Sequence, residues 1–133
     1  MAALSSYLED EIADHILSKT TFTAGATLYF ALFTSAPTED GGGTECTGGS
    51  YARVAVTNNA TNFPAASGGV KTNGTAVTFP TASGNWGTVV AFGVFDASTS
   101  GNLYFFGPLS TSRAITSGDT ARFAIGDFSL TFE

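Results

Sequence analysis

The sequence predicts a mainly β protein: an antiparallel β-sandwich, jelly-roll-like, carrying one N-terminal α-helix. Three observations lead there. Apolar residues recur at four-residue spacing only near the start, at Leu4, Leu8, Ile12 and Ile16, the stripe of an amphipathic helix. Beyond about residue 26 the chain is dominated by Thr, Val, Phe and Gly in short alternating runs, the composition of strands. Turn-forming clusters such as "ASTSGN" and Ser117-Gly118-Asp119 punctuate those runs, as a sandwich of short strands requires.

The helix is expected over about Tyr7–Ser18. Tyr7 and Leu17 widen its stripe. Ser6 with Glu9 fits a capping box, in which the hydroxyl accepts from an orphan amide and the carboxylate reaches back. Glu9, Asp10 and Glu11 suit the positive end of the helix dipole, and Lys19 the negative end. "TLYFALFT" (Thr27–Thr34) is apolar on both faces, which predicts a central strand covered on each side. "YARVAVT" sets Ala52, Val54 and Val56 against Tyr51, Arg53 and Ala55. "GTAVTFP" aligns Val77 with Phe79, and Pro80 ends that strand or places it at an edge. "TVVAFGVFD" aligns Val90, Phe92 and Val94, with Gly93 leaving the other face open to a close neighbour. "LYFFGPL" is the next strand, and Ser117-Gly118-Asp119 reads as a hairpin turn. In the last run Phe123 and Ile125 share one parity, while Phe128, Leu130 and Phe132 share the other. A bulge or bend is therefore expected at Gly126-Asp127. One domain is expected over 1–133, with the helix at about 7–18 and the sandwich at about 26–133.

Composition narrows function. An apolar share of 43% in 133 residues supports one core. Charged residues make up only 12%, about half the usual share, so Ser, Thr, Gly and Asn build a surface open to association. The net charge is −6, and the cations Lys19, Arg53, Lys71, Arg113 and Arg122 are scattered. Neither nucleic acid nor an anionic membrane is an expected partner. No apolar run reaches the ~20 residues of a membrane-spanning helix, and the opening residues do not read as a signal peptide. One cysteine, Cys46, cannot form an internal disulfide.

The glycine-rich stretch "APTEDGGGTECTGGSYARVAV" (36–56) offers Glu39, Asp40 and Glu45 as oxygen donors. They do not match the spacing of a helix–loop–helix calcium site, and no Gly-Lys-Ser/Thr ending makes a phosphate loop of the glycines. A solvated connection is the expected reading. Cys46 lacks local His or Cys partners for zinc. His15, the sole histidine, neighbours Asp14 and lies four residues after Glu11, an ordinary helical pair. No Gly-x-Ser-x-Gly elbow is present. The chain is therefore expected not to be an enzyme, with no catalytic, metal or cofactor residues. Burial at a strand start is the commoner fate of a lone tryptophan; exposed, Trp86 with Tyr51 or Tyr104 is the candidate aromatic platform for a sugar.

The block "MAALSSYLEDEIADHILSKTTFTAGATLYFALFTSAPTEDGGGTECTGGSYARVAVTNN", with its paired "LYFALFTSAPT" and "SYARVAV", resembles a family of small tailed-bacteriophage virion proteins. These are called tail fibre-like or capsid-associated structural proteins, and "NGTAVTFPTASGNWGTVVAFGVFDASTSGNLYFFGPLSTSRAITSGDTARFAIGDFSLTF" is similar to the same pattern. The resemblance implies a non-enzymatic virion component. The leading expectation is a capsid decoration (cement) protein, its expected partner the major capsid protein, assembled as a homo-oligomer with a trimer favoured. The alternative is a tail fibre, tail adaptor or glycan-binding receptor component. A secreted lectin-like module and a small hydrolase are further rivals. Tyr7, Leu8, Ile12, His15 and Ile16 are the expected assembly face of the helix, and Trp86, Tyr51 and Tyr104 the glycan contact of the alternative.

Overall fold

The computed structural model describes residues 2–132; Met1 and Glu133, the outer limits of the expected domain, lie outside them. In chain order the elements are β1 (Ala3–Leu4), α1 (Ser6–Leu17), β2 (Thr27–Ser35), β3 (Thr44–Glu45), β4 (Val54–Thr57), β5 (Val70–Thr72), β6 (Val77–Thr78), β7 (Gly87–Phe95), β8 (Leu103–Ile115), β9 (Arg122–Phe123) and β10 (Ser129–Thr131). The strands pair antiparallel throughout. One six-stranded sheet runs β1-β8-β7-β2-β3, with β4 also on β2, and two ribbons, β5–β10 and β6–β9, form the second layer. The result is a β-sandwich with an N-terminal helix, as the sequence predicts.

Strand β2 is central because its residues are apolar on both faces. Leu28, Phe30 and Leu32 point into the main core, while Ala31 and Phe33 join Ala91 in a smaller cluster on the other face. The main core is aromatic. Phe123 and Phe128 of the second layer meet Phe30 and Phe92 of the large sheet, with centroids 5.4–6.1 Å apart and rings tilted or edge-on, the preferred arrangement of ring quadrupoles. On the outer face Gly93 has the close neighbours its position implies. A Cβ there would lie 3.0 Å from Phe33 and 3.1 Å from both Leu103 and Phe95.

Several elements differ from expectation. The helix cap is Ser5, whose hydroxyl accepts from the Leu8 amide at 3.2 Å; Ser6 is already helical. Two adjacent serines suit a cap equally, and Ser5 wins because it is buried and also donates to the Leu103 carbonyl. Leu4 lies in β1, paired with Phe105, and not on the helix. On β7 the core residues are Val89, Phe92 and Val94, whereas Val90 packs with the outer cluster. The cause is a register break: Val89 faces Arg113 but Ala91 faces Pro108, so Leu109–Ser112 of β8 stand outside the ladder. Ser117-Gly118-Asp119 does turn the chain, with Gly118 at φ 94° and the Asp119 carboxylate accepting from the Thr116 amide. Strands β8 and β9 nevertheless do not pair, since β9 joins β6.

The final run is two strands in different ribbons, not one strand with a bulge. Gly126 sits at φ 84° between them. Buried Asn73 holds the bend: its Oδ1 accepts from the amides of Gly126 and Phe128, and its Nδ2 donates to the carbonyls of Thr75 and Ala124. Phe128 and Leu130 are buried, but Ile125 and Phe132 are exposed. Among the described residues no helix is long and apolar enough to cross a membrane.

Candidate functional site

The expected assembly face of α1 divides along its length. Leu8 is fully consumed by the core. Tyr7 and Ile12 are half-buried against it, and Tyr7 stacks on Tyr104 at 6.2 Å. His15 is exposed, its Nδ1 accepting from the Phe22 amide at 3.1 Å. Ile16 and Leu17 are 67% and 85% exposed. The first two turns therefore fasten the helix to its own domain, and only the last turn offers apolar surface to a neighbour.

The three aromatic residues expected to hold a sugar do not form an exposed platform. Trp86 is buried, its indole N–H donates to the Gly49 carbonyl at 2.9 Å, and its ring meets Tyr51 edge-on at 5.2 Å. Tyr104 is buried elsewhere, between Tyr7 and Phe22 beside the helix. A ring whose faces are packed has none left to stack on a pyranose.

The stretch 36–56 is more than a solvated connection. Glu45 forms an ion pair with Arg53 at 2.8 Å, and the guanidinium also donates to the carbonyls of Ala97 and Ser100. Its Cζ lies 3.8 Å from the Phe95 ring centroid, a cation–π contact. The Tyr51 hydroxyl donates to Glu45 at 2.7 Å and accepts from the Leu32 amide at 3.0 Å. It thereby satisfies β2 where the strand lies between β4 and β3. Burial pushes the Tyr51 phenol well above its ordinary range, and Glu45 adds to the shift. Cys46, buried next to this group, is pushed up to about 11 by burial and by Glu45. A thiol so protonated is a core hydrophobe and a poor nucleophile. Glu39 takes part through its backbone, whose carbonyl accepts from the Ser6 amide.

A cleft of about 470 Å³ lies where β8 leaves its ladder and the β6–β9 ribbon passes close by. Its floor is apolar, built from Leu32, Phe79, Val89 and Phe92. Arg113 reaches it from β8 and Arg122 from β9, with Asp127 and the hydroxyl residues Thr111 and Thr120 also on the lining. Both arginines are exposed, and among the described residues the one ion pair is Glu45–Arg53. The sequence held no signal for this site. The arginines are nine residues apart, on strands of different sheets, and only the unpaired segment of β8 with the turn at 116–121 brings them to one place.

The family model described as podophage GP4 fiber I protein gp80 matches residues 3–131 of the chain. No curated protein matches it.

Proposed function

The chain belongs to the podophage GP4 fiber I protein gp80 family, of tail fibre-like phage virion structural proteins, and from that premise we propose that it is a non-enzymatic component of the phage tail-fibre apparatus. The observation that carries this reading is the match over 3–131, nearly the whole chain, to a family described as a fibre protein. It supports the fibre placement better than the capsid-decoration placement that leads in the sequence reading. The fold is consistent with a structural role. Its clearest polar network, around Glu45, Tyr51 and Arg53, is spent on joining loops to the large sheet.

The working unit is a closed homo-oligomer, with a trimer expected. Ile16 and Leu17 supply apolar surface for it, and closed symmetry buries such surface without open-ended growth. Gold-labelled antibody against the chain, applied to intact virions, tests the placement. Label on the tail is expected, and label distributed over the capsid shell overturns it in favour of decoration. Light scattering on the purified chain tests the assembly: Ile16→Asp with Leu17→Asp is expected to shift a trimer toward monomer.

A further inference from the structure

The geometry points to the Arg113–Arg122 cleft as a binding site for a carboxylate-bearing saccharide. This deepens the fibre reading and rests on it, since a fibre component at the particle surface meets the host's surface polymers.

Charge is the first reason. The chain carries −6 overall and has three arginines. Arg53 is fully engaged, with Glu45, two carbonyls and the Phe95 ring as partners. The other two converge on one cleft from separate sheets, with no ion pair of their own among the described residues. Two guanidinium groups on one cleft lining, neither ion-paired among the described residues, favour an anion there. A planar carboxylate matches the forked donors of a guanidinium in bidentate fashion.

Shape and lining supply the second reason. About 470 Å³ falls within the roughly 300–1,000 Å³ of small-molecule sites. Phe79 and Phe92 are buried beneath with their faces packed, so the half-buried Phe123 and Leu109 supply the apolar surface of the lining for the C–H face of a pyranose. Thr111 offers a hydroxyl, Thr120 offers one already bonded to the Thr81 hydroxyl at 2.7 Å, and the Asp127 carboxylate accepts from sugar hydroxyls. Its Oδ2 already accepts from the Ala124 amide, which holds it in place. One carboxylate against two guanidiniums leaves the cleft net positive, so an acidic sugar is preferred to a neutral one. A cleft of about 470 Å³ with both apolar and hydroxyl-bearing residues on its lining suits a sugar ring better than it suits an extended acidic peptide.

The test is titration calorimetry on the full chain with oligogalacturonate, oligoglucuronate and sialyllactose, alongside carboxyl-reduced oligogalacturonate and a polyglutamate peptide. Saturable binding of at least one acidic saccharide is expected. Its affinity should fall at least about tenfold on carboxyl reduction and on Arg113→Gln with Arg122→Gln, and should weaken with added salt. Unchanged melting of the double variant shows that the fold is intact, and Arg113→Lys with Arg122→Lys should recover part of the affinity. Absence of binding across the three acidic saccharides overturns the proposal. So does equal binding by the double variant, or binding of polyglutamate in preference to every sugar. The fibre reading fails separately: gold label on the capsid with saccharide binding intact refutes the placement and leaves the cleft assignment standing.

Discussion

Arg53 and the pair Arg113–Arg122 are the same residue type in opposite conditions. The Arg53 side chain is 7% exposed and satisfied from four directions. The cleft arginines are exposed, and no ion pair holds either of them among the described residues. The first arrangement is a latch, in which each donor reduces the freedom of the 44–53 and 97–100 segments. The second is a pair of donors on the lining of one cleft, which they share with the Asp127 carboxylate. The difference teaches where binding chemistry resides in a chain with so few charges: in the groups whose hydrogen-bonding capacity is unspent.

The comparison breaks most directly at Arg53. Arg53→Ala leaves Glu45 without its cation and removes donors from two carbonyls, at a cost of about 2–3 kcal/mol given that Glu45 remains a quarter exposed. A fall in Tm of roughly 10 °C is expected by calorimetry. Asn73→Ala tests whether a satisfied neutral side chain matters comparably. It strands two amides and two carbonyls at the Gly126 bend and is expected to cost about 2 kcal/mol, read by urea denaturation. The third effect is alkaline. Cys46 is raised from 9.0 to about 11, and Tyr51 is raised as well. Both stay protonated in the folded state at a pH where the unfolded chain has lost the protons, so the native state binds more protons and stability declines as pH rises. The contribution is present below pH about 9 and is lost toward about 11, on the order of 1 kcal/mol for Cys46. Tm measured across that window should fall, and Cys46→Ala should flatten part of the decline. The smallest effect is the most telling: Arg113→Gln with Arg122→Gln is expected to change stability by no more than about 0.5 kcal/mol. A loss comparable to that of Arg53→Ala would show that these arginines are structural after all.

Much of the frame was legible from local pattern. The helix followed from its four-residue spacing, and the central strand from apolar residues on both faces of Thr27–Thr34. The bend at Gly126-Asp127 was visible as a change of parity, although a single strand with a bulge and two strands in different ribbons produce the same change. What local pattern does not encode is pairing at a distance. Strict alternation puts Val90 on the side of Phe92 and Val94, but a register break created by extra residues of β8 turns it to the other face. Trp86 reads from the sequence either as buried or as a sugar platform, and what decides for burial is the Gly49 carbonyl, 37 residues earlier. The Glu45–Arg53 latch lay inside the stretch first read as a connection, and its other acceptors, Ala97 and Ser100, are more than forty residues away. Asn73 lacked any local signal, since all its significance comes from residues 124–128 and Thr75.

The seating of the first residues has a consequence for biogenesis. Ala3 and Leu4 pair with Phe106 and Phe105, the Ser5 hydroxyl donates to Leu103, and the Ala2 amide donates to Ser129. A nascent chain emerging from the ribosome thus presents these residues long before their partners exist. The helix cannot be docked, nor the large sheet closed on that side, until more than a hundred residues have been made. Non-local pairing of this kind slows folding and prolongs the exposure of strand edges. While β8 is still unpaired along the edge β1 later covers, copies are most prone to pair wrongly with one another.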